Sequence, residues 1–285
     1  MQGSSAQAQI EEQRAANRSA IEHFGAFAAH REKLTALLRA ASPADGGRLC
    51  VLGAGNCYDL DLAELGRVYA EIHLVDLDRT ALERACERQE PALRARLFRH
   101  APVDLSGTLE RLDAWKSMNT TPAEIAAWPG ATARQIAETL PGPFDVVVSA
   151  CVLSQLHFSV LNVLSDRHQL FEAVRQLLNL AHLRTLARLI TASGKALLVN
   201  DLASDEMIAE SAVDTSLPPL SLALSLARKG QVIHAVHPDF LAWSVSEDPM
   251  LNRGVVLDPP SDAWFWRVGP DRSFLVCAQL LTRRP

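Results

Sequence analysis

From Arg48 to Leu202 short apolar runs alternate with amphipathic stretches, the pattern of a parallel sheet wrapped in helices. Arg48–Gly55 reads as a strand running into a glycine turn, and Glu71–Asp78 as a second strand ending on acids. Asp59–Tyr69 and Arg79–Gln89 carry the helical period, the latter stopping near Pro91. A weaker strand is expected within Leu97–Leu105, ending at Val103-Asp104-Leu105. Phe144–Cys151 and Lys195–Leu202 are apolar throughout, as strands covered on both faces are. Asp166–Ala192 reads as one long helix, and Asp205–Lys229 as mostly helical. Thr121-Pro122, Trp128-Pro129-Gly130 and Pro141-Gly142-Pro143 interrupt Ser106–Gly142, which is expected to be a helix followed by an insertion, about 106–142 in all.

The two ends differ from this middle. From about Ala6 to Ala41, Ile10, Ile21, Phe24, Phe27, Leu34 and Leu38 recur on one face at the helical period. The break Ser42-Pro43-Ala44-Asp45-Gly46-Gly47 then sets residues 1–42 apart as a helical lid over a main domain, 43–285. At the other end, Ala263–Val268 and Phe274–Leu281 flank Gly269-Pro-Asp-Arg-Ser273, which predicts an antiparallel hairpin. Parallel dinucleotide folds continue instead with crossover helices. The expected fold class is thus α/β: a Rossmann-like doubly wound sheet with a C-terminal antiparallel hairpin and an N-terminal helical lid.

Composition narrows the partners. The 285 residues carry a net charge of −5 with acids and bases interspersed, and no basic stripe argues for nucleic acid. The five cysteines form no CxxC and sit mostly in apolar strands, so they read as buried thiols of a reducing compartment. The N-terminus is polar and no apolar run is long enough to span a bilayer, so no membrane is expected and the cytoplasm is the expected location. A homodimer is an open expectation.

The glycine turn carries the chemistry. Gly55 and Asp76 lie about twenty residues apart, the spacing at which an acid at a second strand's tip reaches a ribose held over the first turn. A dinucleotide fingerprint needs a third glycine where this chain has Tyr58. A cofactor without phosphates asks less of the turn, and S-adenosyl-L-methionine fits that requirement. A tight turn without a ligand is the plainer alternative.

With these motifs in order, the chain from Arg48 onward resembles class I S-adenosylmethionine-dependent methyltransferases. LCVLGAGN looks like the family's glycine-rich first motif, and LVDLD like the second, whose acid binds the ribose hydroxyls. PVDLS is similar to the third, where an aspartate meets the adenine amine, and FDVVVSACVLSQL to the fourth, beside the substrate site. The resemblance implies cofactor contacts from Gly53, Ala54, Gly55, Asn56, Asp59, Asp76, Leu77, Val103, Asp104, Leu105, Ala150 and Cys151. Two positions depart from the family pattern: Val51 stands where an acid is common, and Cys57 replaces a glycine.

Methyl transfer needs an aligned nucleophile, excluded water and, for a protonated acceptor, a base. His157, just past a strand end, is a candidate base or substrate donor; the alternative is a solvent-facing loop histidine. Gln155 is a candidate substrate contact. Asn200 and Asp201 follow the next strand, as substrate ligand and catalytic acid–base, or else as caps of a turn. On the N-terminal helix, Phe27 and His30 are candidate substrate contacts and His23 a reserve catalytic group, or else a helix margin. His234 and His237 lack a third ligand, so no metal is expected. Trp243, Trp264 and Trp266 read as core, with a substrate wall as the alternative. The expected activity is methylation of a small-molecule acceptor at oxygen or nitrogen. An NAD(P)-dependent oxidoreductase and a non-catalytic methyltransferase-like binding subunit remain as alternatives.

Overall fold

The apolar runs become strands that water does not reach: β1 (Arg48–Leu52) and β2 (Glu71–Val75) each bury their last four residues. The computed structural model describes residues 4–284, so the extreme ends of the two expected domains, residues 1–3 and 285, lie outside the described residues. The remaining strands are β3 (Leu97–His100), β4 (Phe144–Ala150), β5 (Ile190–Ser204), β6 (Val255–Leu257), β7 (Asp262–Arg267) and β8 (Ser273–Arg283). They form one eight-stranded sheet in the order β3-β2-β1-β4-β5-β8-β6, with β7 also pairing β8. β3 to β5 are parallel, and β8 runs antiparallel against β5 from Lys195↔Thr282 to Ser204↔Phe274. β6 and β7 divide the far edge of β8, also antiparallel. This is the doubly wound sheet with a reversed C-terminal strand that the sequence predicts. The order reverses between β1 and β4, and there the carboxyl ends of the strands leave a crevice.

Two helical layers cover the faces. On one, α2 (Ala28–Ala41) buries Leu34 and Leu38, and α4 (Arg79–Glu87) buries Leu82 and Ala85, against Leu49, Val51, Ile72 and Leu74. On the other, α7 (Pro122–Thr139) and α9 (Phe171–Leu189) bury Ile136, Leu183 and Leu186 against Cys50, Leu52 and Val147. The other helices are α1 (Ser5–Ser19), α3 (Leu62–Leu65), α5 (Pro91–Arg94), α6 (Leu112–Lys116), α8 (Val152–Leu164), α10 (Asp205–Ala209), α11 (Pro219–Arg228), α12 (Pro238–Glu247) and α13 (Pro249–Gly254).

Several expected elements are redrawn. The helix expected over 59–69 shrinks to the four residues of α3, because turns occupy the chain from Gly55 to Asp61. The expected break at Trp128-Pro129-Gly130 lies inside α7, an 18-residue helix opened by a Thr121–Glu124 capping box. That helix is the crossover between β3 and β4, so 106–142 is not an insertion on the sheet. Val103-Asp104-Leu105 is loop, not strand. The single N-terminal helix is three pieces: α1, a 3-10 stretch over Ala20–Phe27, and α2. α1 buries only Gln9 and Asn17, and Ile21 and Phe24 stay exposed. α2, by contrast, belongs to the core, and Tyr69 donates its hydroxyl to the Leu38 carbonyl. The boundary drawn at residue 42 therefore falls inside one packed unit.

Candidate functional site

The crevice at the strand reversal holds two adjoining cavities that share Gln9, Gln13, Gly53, Gln155 and Ser159 in their walls. The first, about 300 Å³, lies over the glycine turn and the end of β4. The second, about 70 Å³, lies against the ends of β2 and β3.

The glycine turn is shaped by close approaches. Gly53 and Gly55 have φ of +65° and +47°, and a Cβ on Gly53 would stand 2.5 Å from Val152 Cγ2. The next turn puts the non-glycine Cys57 at φ 51°, and Cys151, at the start of α8, is at φ 54°. Such left-handed non-glycine residues concentrate where a site is held under strain. No helix follows the turn directly to satisfy its carbonyls. Instead Arg31 donates to the Tyr58 carbonyl at 2.7 Å and Arg88 to that of Asn56 at 2.6 Å.

Asp76 is the hinge of the second cavity. Its Oδ2 accepts from the Gly55 amide at 2.8 Å and its Oδ1 from the Asp78 amide at 2.8 Å. Each oxygen keeps a second lone pair for a ligand. Burial pushes the Asp76 carboxyl up, and the backbone donors pull it partly back. Asp104 closes its own loop by accepting from the amides of Ser106 and Leu109. Leu77, Val103 and Leu105 supply the apolar wall between the two acids.

The N-terminal segment forms the roof. Gln9 and Gln13 line both cavities and Asn17 the first. Asn17 donates to Asp78 Oδ2 at 3.0 Å, and Asn56 donates to the Asn17 carbonyl at 2.6 Å. Glu12, Asp59, Asp76 and Asp104 line the cavities, and among the described lining residues there is no lysine, arginine or histidine. Asp59 keeps some surface on the cavity, yet protein surrounds its carboxyl, and burial pushes it up to about 6.

Of the residues singled out in sequence, Gly53, Ala54, Gly55, Asn56, Asp59 and Ala150 meet in the first cavity, joined by Phe27 and Gln155. Asp76, Leu77, Val103, Asp104 and Leu105 meet in the second. Others do not reach it. His157 is on α8, not in a loop, and turns into the core, where its Nε2 lies 2.7 Å from Asn179 Oδ1. Burial pulls it down to about 4, so it is neutral and already partnered at neutral pH. Cys151 is buried behind Ala150, and burial pushes its thiol well up. Asn200 and Asp201 lie within β5, not in a turn, and point to opposite faces of the sheet. Asn200 is fully buried with neither amide atom partnered, and burial raises Asp201 to about 7. His30 lies beneath the wall: Trp264 Nε1 donates to its Nδ1 at 3.0 Å, its ring stacks on Trp266, and burial pulls it down to about 3. His23 lines a separate shallow hollow beside Arg267. The structure thus removes His157, Asp201 and His23 from the cavity walls.

Sequence reasoning missed the roof and much of the aromatic wall. Gln9, Gln13 and Asn17 recur every four residues, a polar stripe readable as one helix face but overlooked beside the apolar one. Phe158 and Ser159 come from α8. No cluster of three or more metal-ligating side chains occurs among the described residues, and no described helix is long and apolar enough to cross a membrane.

No protein-family model matches this chain, and no curated protein matches its sequence. Solved structures resemble it at low identity. One is the YcgJ protein of Bacillus subtilis, 14% identical over 90% of this chain and 100% of that one, with a TM-score of 0.48. Another is the glycopeptide N-methyltransferase MtfA, complexed with sinefungin, at 14% identity over 89% and 94% with a TM-score of 0.46. A third is a TehB-like SAM-dependent methyltransferase of Corynebacterium glutamicum, at 16% over 95% and 100%, with a TM-score of 0.44.

Proposed function

We propose that this chain is an S-adenosyl-L-methionine-dependent methyltransferase acting on an oxygen or nitrogen of a small-molecule acceptor. The observation that carries this reading is the charge of the site. Two joined cavities at the strand reversal are lined by four carboxylates and, among the described residues, no cation. A sulfonium and an ammonium suit such walls; a pyrophosphate does not. The turn points the same way, because no helix N-terminus follows Gly55 to meet a phosphate, as a dinucleotide requires. A 2′-phosphate would further need an arginine that the walls lack.

In this reading Asp76 takes the ribose hydroxyls on its free lone pairs. Leu77, Val103 and Leu105 flank the adenine, and Asp104 faces its amine. Asp59 pairs with the ammonium, and Gly53, Ala54, Gly55 and Asn56 bring backbone close to the amino-acid end. When bound, the cofactor supplies an electrophilic methyl group. The chain's own work is to hold the acceptor against Ala150, Gln155 and Phe27 and to keep water out. α1 acts as the lid, fastened by Asn17. Five buried thiols support a reducing, cytoplasmic setting.

Calorimetric titration with S-adenosylmethionine, S-adenosylhomocysteine, NAD and NADP tests the reading. The first two are expected to bind at micromolar levels and the dinucleotides not at all; the reverse order overturns it. Turnover on an acceptor panel separates an enzyme from a binding subunit of the same fold.

A further inference from the structure

The first cavity holds more than the proposed cofactor uses. If Asp76, Asp104 and Asp59 serve the ribose, adenine and ammonium, Glu12 is left over. It lines the first cavity only, on α1, and its Oε1 is held by Asn162 Nδ2 at 2.9 Å. The same cavity is lined by aromatic rings from distant parts of the chain, Phe27, Tyr58, Phe158 and Trp266, of which Tyr58 already carries the Arg88 guanidinium 4.5 Å from its ring centroid. Phe27 meets Trp266 edge-on at 5.5 Å, and Phe24 meets Tyr58 at 5.0 Å. The apolar character continues outward, since Phe24 and Phe158 are 46% and 48% exposed.

Charge flow decides between acceptors. When a neutral nucleophile takes a methyl group from a sulfonium, positive charge moves from sulfur to the nucleophile. Aromatic faces and a carboxylate stabilise a cation forming there. An anionic acceptor would meet the Glu12 carboxylate, with no lysine, arginine or histidine among the described lining residues to offset it. A hydroxyl acceptor would need a base at the moment of transfer, a task left to the carboxylates of the wall, since no histidine or lysine lines either cavity among the described residues. An amine with a free lone pair needs none at the moment of transfer.

We infer that the acceptor is an amine carried on a flat apolar body, seated between Phe27, Phe158 and Trp266 with its nitrogen toward Glu12. This rests on the methyltransferase reading above. The nitrogen lone pair forms the new N–C bond as the C–S bond breaks, and the electron pair of that bond stays on sulfur as the thioether. The acceptor enters as an ammonium ion paired with Glu12, gives one proton to water to free the lone pair before transfer, and leaves as the methylated ammonium.

Three ligands with one body separate the alternatives: tryptamine, tryptophol and indole-3-propionate, titrated into the full chain saturated with S-adenosylhomocysteine. Tryptamine is expected to bind at least tenfold more tightly than the alcohol or the carboxylate. Glu12→Gln is expected to weaken tryptamine about fivefold and leave tryptophol unchanged. Glu12 is exposed on a helix that buries little, so the variant keeps its fold, checked by its melting temperature. No preference for the amine, no binding of any of the three, or an unaffected Glu12→Gln overturns the inference. If S-adenosylhomocysteine itself does not bind, the methyltransferase reading fails instead, and the preliminary titration shows which has happened.

Discussion

The two cavities are built on different plans. The second is made by the ends of neighbouring strands, and its acids are engaged by backbone amides: Asp76 by Gly55 and Asp78, Asp104 by Ser106 and Leu109. Those donors all lie in loops that leave the ends of β1, β2 and β3, and α1 and α8 complete the wall with Gln9, Gln13, Gln155 and Ser159. The first is assembled from segments far apart in the chain, with five residues from α1, two from the 3-10 stretch, three from α8 and one from β7 joining the glycine turn. A ligand common to many proteins can be served by local loops. A particular ligand is served by long-range packing, which can change without disturbing the sheet.

Removing the roof is the strongest way to break this comparison. Deleting residues 1–19 takes away Gln9, Glu12, Gln13 and Asn17 but no core side chain, because α1 buries only Gln9 and Asn17. Turnover is expected to fall a hundredfold or more while circular dichroism and melting stay near those of the intact chain. Retained activity would strip α1 of its role.

Asp76→Ala sharpens the local half. It is expected to weaken S-adenosylmethionine by about 1.5–3 kcal/mol, the range for hydrogen bonds to a charged group, or roughly ten- to a hundredfold. Calorimetry on the folded variant reads this, and unchanged affinity would mean that the ribose lies elsewhere.

Asp201, buried within β5, is tested through pH. Burial raises it to about 7 in the folded chain, and an unfolded aspartate titrates near 3.9. Between those values the folded state holds a proton that the unfolded state has released, so stability is lost as pH rises from about 4 through 7. Asp201→Asn is expected to flatten that slope and to stabilise the protein at pH 8, on the order of 2 kcal/mol. Chemical denaturation at pH 5 and 8 gives both terms, and parallel slopes would show that Asp201 is not the titrating group.

The smallest effect on activity is expected at His157. His157→Gln removes a ring already held by Asn179, so kinetics on any accepted substrate should stay within about twofold, with stability lower by about 1 kcal/mol. A large loss of turnover in a folded variant would return His157 to the chemistry.

The sequence was most legible where a feature depends on neighbours in the chain. Apolar runs announced β1, β2, β4 and β5, and the Gly55–Asp76 spacing brought together two groups that are hydrogen-bonded in the structure. The terminal hairpin was readable because the same residues, Ala263–Val268 and Phe274–Leu281, must pair across a short turn. Legibility failed where packing overrode local signals. Pro129-Gly130 reads as a break, yet α7 runs through it because its apolar face is covered by α9 and the sheet. His157, polar and just past a strand, reads as exposed, but the helical period of α8 turns it inward. Phe158, its neighbour, takes the position beside the cavity for the same reason. Nothing in sequence spacing joins Phe27 to Trp266.

The hydrogen bonds from Asn17 to Asp78 and from Asn56 to the Asn17 carbonyl fasten the ceiling of the site to its floor. Gln9 and Gln13, on the same helix as Asn17, line both cavities, so these bonds anchor the wall that the two share. If the chain is the methyltransferase proposed above, loading and unloading would depend on one asparagine. Mixing the cofactor-loaded protein rapidly with acceptor would then give a burst of one product per chain before a slower steady rate, and loosening Asn17 would raise that steady rate.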